Sequence, residues 1–143
     1  MREGPLHESE RWLGQAQIDL KWAAHLNAQG ASYLVCFLAQ QAAEKALKAF
    51  LYAQGEEWVV GHSVRQLSQR CAAYDARFAA YLDDWAILDS YYILTRYPNG
   101  LPDDIPARVY NHASAESAFS LARAVITQVE GALADLERGQ PGE

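Results

Sequence analysis

Two groups of side chains in this 143-residue chain have types and spacings that bear on chemistry. In the first, Asp89, Tyr92, Arg96 and Tyr97 stand where an aromatic-rich stretch meets a segment with prolines at 98, 102 and 106. A guanidinium offers a planar fork for phosphate, and neighbouring aromatic rings can stack on a base. Asp89 precedes Arg96 by seven residues, so a continuing helix sets them on nearly one face, with Tyr92 between and Asp89 placed to orient the guanidinium. The plainer reading stands beside it: Asp89 merely satisfies Arg96, and the tyrosines fill the core. In the second group, Gln41, Glu44, Lys45 and Lys48 form a polar strip. An ordinary solvated face accounts for that strip, with Glu44 and Lys48 as an i, i+4 pair worth about 0.2–0.5 kcal/mol. The sharper reading gives Lys45 and Lys48 secondary contacts to a bound anion.

Other chemistries lack their parts. A di-iron bundle needs Glu-x-x-His pairs on facing helices, and none occurs; His112 and Glu116 alone make a poor metal site. No Gly-x-Ser-x-Gly elbow, Walker loop or dinucleotide fingerprint is present, so no cofactor is implied. His62, just ahead of Ser63, is expected to close a loop by hydrogen bonding, having no catalytic partner beside it in sequence. The formal net charge of −6 means that any phosphate contact must come from a local basic patch. Cys36 lies in an apolar run, and neither it nor Cys71 belongs to a C-x-x-C pair, which points to reduced thiols. With no bilayer-length apolar run and no signal-peptide core, the expectation is a cytoplasmic protein that engages no membrane.

Helices must position these groups. Half of the residues are hydrophobic, and no proline interrupts residues 6–97 or 107–140. The spacing predicts a first helix over 8–29, with Trp12, Leu13, Ala16, Leu20, Ala23 and Ala24 as its apolar stripe, stopping at Gly30. Ser32 caps a central helix to about Gln54 that is apolar nearly all round in its first half and needs cover from the bundle or another subunit. Ser63 caps a short helix to about Ala73. A fourth helix is expected over 75–95 through Phe78, Tyr81, Leu82, Trp85, Leu88 and Tyr92, then an extended loop over 96–106. The last helix begins between Ala107 and Ser114 and ends near Arg138. The fold class is therefore all-α: an up-and-down antiparallel bundle of four long helices and one short one, spanning 8–138 between a flexible lead (1–7) and tail (139–143).

In that order along the chain, Trp12-Leu13 with Ala16 and Asp19-Leu20, the segment Ala39-Gln-Gln-Ala-Ala-Glu-Lys-Ala-Leu-Lys-Ala49, Gly61-His-Ser-Val64 with Leu67, and Leu88-Asp-Ser-Tyr-Tyr-Ile-Leu-Thr-Arg-Tyr-Pro98 are followed by Tyr110 and an alanine-rich last helix. This combination resembles the HEPN family over about residues 8–136. The resemblance implies an up-and-down bundle that commonly dimerises and binds nucleotides. Prokaryotic members often pair with a minimal nucleotidyltransferase in toxin–antitoxin-like systems. Some members are ribonucleases, whose Arg is followed after four to six residues by a His, two such motifs meeting across a dimer cleft. This chain departs from that motif. Positions 101–103 after Arg96 are Leu, Pro and Asp; Arg108 and His112 have three residues between them; Arg2 and His7 fit the spacing but lie in the lead. The implied function is a non-catalytic, homodimeric module for a nucleotide, RNA or nucleotidyltransferase partner, with Arg96 on phosphate and Tyr92 and Tyr97 stacking. The alternatives are a metal-independent ribonuclease using Arg108 and His112, or Arg96 with His62, and a pure assembly module.

Overall fold

α1 (Gly4–Ala28) and α2 (Ser32–Ala53) form an antiparallel hairpin, closed by a tight turn in which the Ala31 amide donates to the Leu26 carbonyl (3.1 Å). The computed structural model describes residues 4–139. α1 begins at Gly4, four residues before the expected start, because Pro5 fits a helix's first turn, where an amide has no partner to lose. Arg2 lies outside the described residues, and so does its pairing with His7.

α2 is the axis of the bundle, flanked by α1 on one side and by α7 (His112–Arg138) and α3 (Val64–Ala72) on others. Its Ala39, Ala42, Ala43, Ala46 and Leu47 are fully buried, in one cluster with Ala16 of α1 and Ala118, Ala122, Val125 and Val129 of α7. Small side chains let helix backbones approach closely, and the larger volumes fill the ends: Phe50 packs against Phe78 at 4.8 Å, and Trp12 stacks on Tyr52 at 5.5 Å. Burial of Phe50 or Leu47 contributes roughly 1.5–3 kcal/mol each. Both thiols belong to this core. Burial pushes Cys36 up to about 11 and Cys71 further still, so both are neutral packing groups.

The expected fourth helix departs from regular α geometry, and the departure matters for the site. Asp75 caps a 3-10 turn (Ala76–Ala79) by accepting from the Arg77 amide at 3.1 Å, and the chain breaks at Ala80–Tyr81. From Leu82 it is helical to Leu94: α4 (Leu82–Trp85), a 3-10 stretch (Ala86–Ser90), then α5 (Tyr91–Leu94). Trp85, Leu88 and Tyr91 are buried at a spacing of three, the period of a 3-10 helix. Tyr91, absent from the expected stripe, turns inward, and Tyr92 is carried outward.

Pro98–Gly100 form a single 3-10 turn in the loop, where a Cβ on Gly100 would run into the Leu94 side chain. α6 (Pro106–Val109) is one turn long, with proline at its start. α7 starts at His112 behind a reciprocal cap: Asn111 Oδ1 accepts from the Ser114 amide (3.0 Å), and Ser114 Oγ accepts from the Asn111 amide. The up-and-down all-α bundle is as expected. No helix among the described residues is long and apolar enough to cross a membrane.

Candidate functional site

Gln40, Glu44 and Lys48 repeat every four residues, one strip of α2, and all three are buried. Glu44 accepts from Lys48 Nζ at 3.0 Å and from Gln40 Nε2 at 3.2 Å. Its third partner arrives from the α2–α3 connection. Gly61 takes φ +106°, a conformation that favours glycine, and the next residue, His62, folds back over the strip. The His62 carbonyl accepts from Gln40 Nε2 (2.9 Å), and its ring nitrogen Nδ1 lies 3.2 Å from Glu44 Oε2. The expected solvated face is therefore a sealed ion pair with a histidine as its lid. The His62 ring remains 56% exposed, and among the described residues its Nε2 makes no hydrogen bond.

That ring stacks on Tyr92 at 4.4 Å with planes 17° apart. Arg96 also lies over Tyr92, its guanidinium carbon 4.6 Å from the ring centre, and approaches Phe37 (4.8 Å) and Tyr97 (5.4 Å). Its Nε donates to the Tyr92 carbonyl at 2.7 Å, while the terminal nitrogens hold no partner among the described residues. Three aromatic rings thus frame a cation that no carboxylate among the described residues neutralises. Arg65, Arg70, Arg77, Arg108 and Arg138, by contrast, each hold an aspartate or glutamate. Arg96 borders a groove of about 320 Å³ walled by Phe37 and Leu34 of α2, by Pro98 and Ile105 of the loop and by Pro106 at the start of α6. An anionic group meets two free guanidinium nitrogens there, and a planar ring meets apolar and aromatic walls.

The other expected site residues fall elsewhere. Asp89 does not orient Arg96. The 3-10 stretch through Ser90 breaks the seven-residue register, and its carboxylate instead takes the Ser63 hydroxyl (2.8 Å) and the amides of Val64 (2.5 Å) and Arg65 (3.3 Å) at the start of α3. Lys45 is bound to Asp19 at 2.6 Å, and Lys48 to Glu44, so each ammonium already has a carboxylate partner. Arg108 is held by Asp104 at 2.7 Å, and His112 lies 3.9 Å from Glu116; both are largely exposed, and no contact joins them. Sequence reasoning missed Phe37, which reads as core in an apolar run; it expected His62 to close a loop by hydrogen bonding, but not onto Glu44. Two signals pointed to His62: the glycine before it, and a polar strip on an otherwise buried helix.

The molecule is thus an all-helical bundle module whose unpaired arginine sits among aromatic rings at a helix-to-loop junction. The chain belongs to the HEPN domain family, whose model matches residues 9–132. It is similar to the crystal structure of TT1696 from Thermus thermophilus, with 38% identity and a TM-score of 0.80 over 87% of this chain and 97% of that one. It is also similar to ST0689, an archaeal HEPN homologue, with 31% identity and a TM-score of 0.65 over 87% of this chain and 96% of that one. No curated protein matches.

Proposed function

We propose that this HEPN protein is a binding module that takes a nucleotide, free or as part of an RNA strand, in the groove beside Arg96. The carrying observation is the unneutralised Arg96 guanidinium framed by Phe37, Tyr92 and Tyr97. Phosphate binds the free nitrogens, and the base packs on the Phe37 wall of the groove or stacks on Tyr97, which is half exposed on the other side of Arg96 and outside the groove lining. Calorimetric titration with AMP and a short single-stranded RNA tests this. Arg96→Ala is expected to weaken binding about tenfold or more, the loss of a charge-assisted contact. Equal affinity in both proteins, or no binding in either, removes the assignment.

The protein works in this reading as a homodimer and as the partner of a minimal nucleotidyltransferase, in the manner of toxin–antitoxin pairs. Ile18 and Trp22 of α1, each about half exposed, supply apolar surface for such assembly. Sedimentation of the chain alone and mixed with a minimal nucleotidyltransferase reads both associations; a monomer in each case sinks them.

One observation favours a second reading, ribonuclease activity. Glu44 holds His62 Nδ1, a pose that suits proton transfer at Nε2, and Tyr92 joins that ring to Arg96. Incubation with RNA in chelator decides. Cleavage that disappears in His62→Ala replaces the binding reading, whereas intact RNA leaves His62 as the lid of the buried pair.

A further inference from the structure

Arg96 and Arg123 are the two arginines among the described residues that hold no carboxylate, in a chain with 18 acidic and 12 basic side chains. Arg123 lies over Phe119 of its own helix at 5.6 Å and makes no hydrogen bond or ion pair among those residues. Like Arg96, it borders a groove. This one, of about 460 Å³, runs between α7 and the start of α4, at the opposite end of the Leu82–Leu94 segment from Arg96. Among the described residues no acidic side chain lines it, whereas three other surface grooves have glutamates in their walls.

The walls have a definite chemistry. Tyr81 is 49% exposed and rests on Trp85 in a stack at 5.6 Å with planes 23° apart, so a flat ring is presented with a buried support behind it. Facing it, Ser120, Arg123, Thr127 and Gly131 recur at i, i+3, i+7 and i+11, one face of α7. The hydroxyls of Ser120 and Thr127 bond to nothing else among the described residues. Gly131 is the odd member. Glycine weakens a helix interior relative to alanine, and here neither a positive φ nor a close neighbour requires it: a Cβ would meet nothing within 4 Å. What the missing side chain provides is room in the groove.

We infer that this groove is a second ligand site, separate from the one at Arg96, for a small flat aromatic anion: the ring packs on Tyr81, and the anionic group sits on Arg123 and the α7 hydroxyls. Its volume lies within the usual range for small-molecule sites, about 300–1,000 Å³. The inference does not depend on the Arg96 reading.

Titrations in the Arg96→Ala background silence the first groove. That protein is expected to bind AMP once per chain, and adenosine or ribose 5-phosphate, each lacking half of the recognition, about tenfold or more weakly. Adding Arg123→Ala should weaken AMP about tenfold or more, as loss of a charge-assisted contact does. Adding Gly131→Leu should abolish binding by filling the groove, while the helix-favouring side chain raises the melting temperature and so shows that the fold is intact. No saturable AMP binding in the Arg96→Ala protein overturns the second site, as does binding that neither added substitution changes. If wild type and Arg96→Ala bind identically and Arg123→Ala abolishes binding in both, the first site falls and this one stands.

Discussion

Replacement of Asp89 separates two roles that the sequence left superimposed. Its carboxylate accepts three donors at the start of α3: the Ser63 hydroxyl at 2.8 Å and the amides of Val64 and Arg65 at 2.5 and 3.3 Å. First-turn amides have no partner inside their helix, so Asp89 acts as a cap supplied from a distant part of the chain. Loss of a capping oxygen costs about 1 kcal/mol, and loss of a hydrogen bond to a charged acceptor about 1.5–3 kcal/mol. The site is only partly buried, so water replaces some of what is lost. Asp89→Ala is therefore expected to lower stability by about 2–4 kcal/mol, and Asp89→Asn, which keeps one acceptor, by about half of that. Ser63 Oγ still accepts from the Gln66 amide at 3.1 Å, so α3 loses its anchor without melting.

The assay pairs urea unfolding with AMP titration. With a urea slope of about 2 kcal/mol per molar, the midpoint of Asp89→Ala falls by about 1–2 M. AMP affinity in native buffer should stay within about threefold of wild type, because Arg96 takes its orientation from the Tyr92 carbonyl and three rings. An unchanged urea midpoint together with tenfold weaker AMP binding would refute the reasoning and return Asp89 to Arg96.

Two further substitutions probe the scaffold. Glu44→Ala leaves the Lys48 ammonium buried without its counter-ion and should cost about 3–5 kcal/mol, while the double change Glu44→Ala with Lys48→Met should recover much of the melting temperature; a single substitution that is harmless would mean the pair is solvated. Arg77 hydrogen bonds hold the Asp75 carboxyl below the usual carboxylate range. A group depressed in the folded state stabilises above its unfolded value, near 3.9, and that contribution fades as pH falls through the folded value. Asp75→Asn should therefore flatten the acid limb of stability against pH; parallel curves for the two proteins would exclude the effect.

How far the sequence is legible depends on the period of each element. α1, α2 and α7 carry long stripes at the α-helical period, and their ends fall close to Gly30, Gly55 and the Asn111 cap. The segment that carries the site does not. Its aromatics admit either a 3.6-residue or a three-residue period: Trp85 and Leu88 fit both, and only the choice between Tyr91 and Tyr92 as the inward ring tells them apart. Composition does not settle that choice, because both are tyrosine. Packing does, with Tyr91 buried against Tyr110 at 5.8 Å. Tyr92 then faces outward to receive His62 on the α2–α3 connection, and Asp89 turns to α3. One local tightening of the helix thus takes Asp89 away from Arg96, yet leaves the arginine on Tyr92 at the same junction. The position of the cation follows from the sequence. Its neighbours follow from which tyrosine the core accepts, and the Asp89 experiment reads that choice directly.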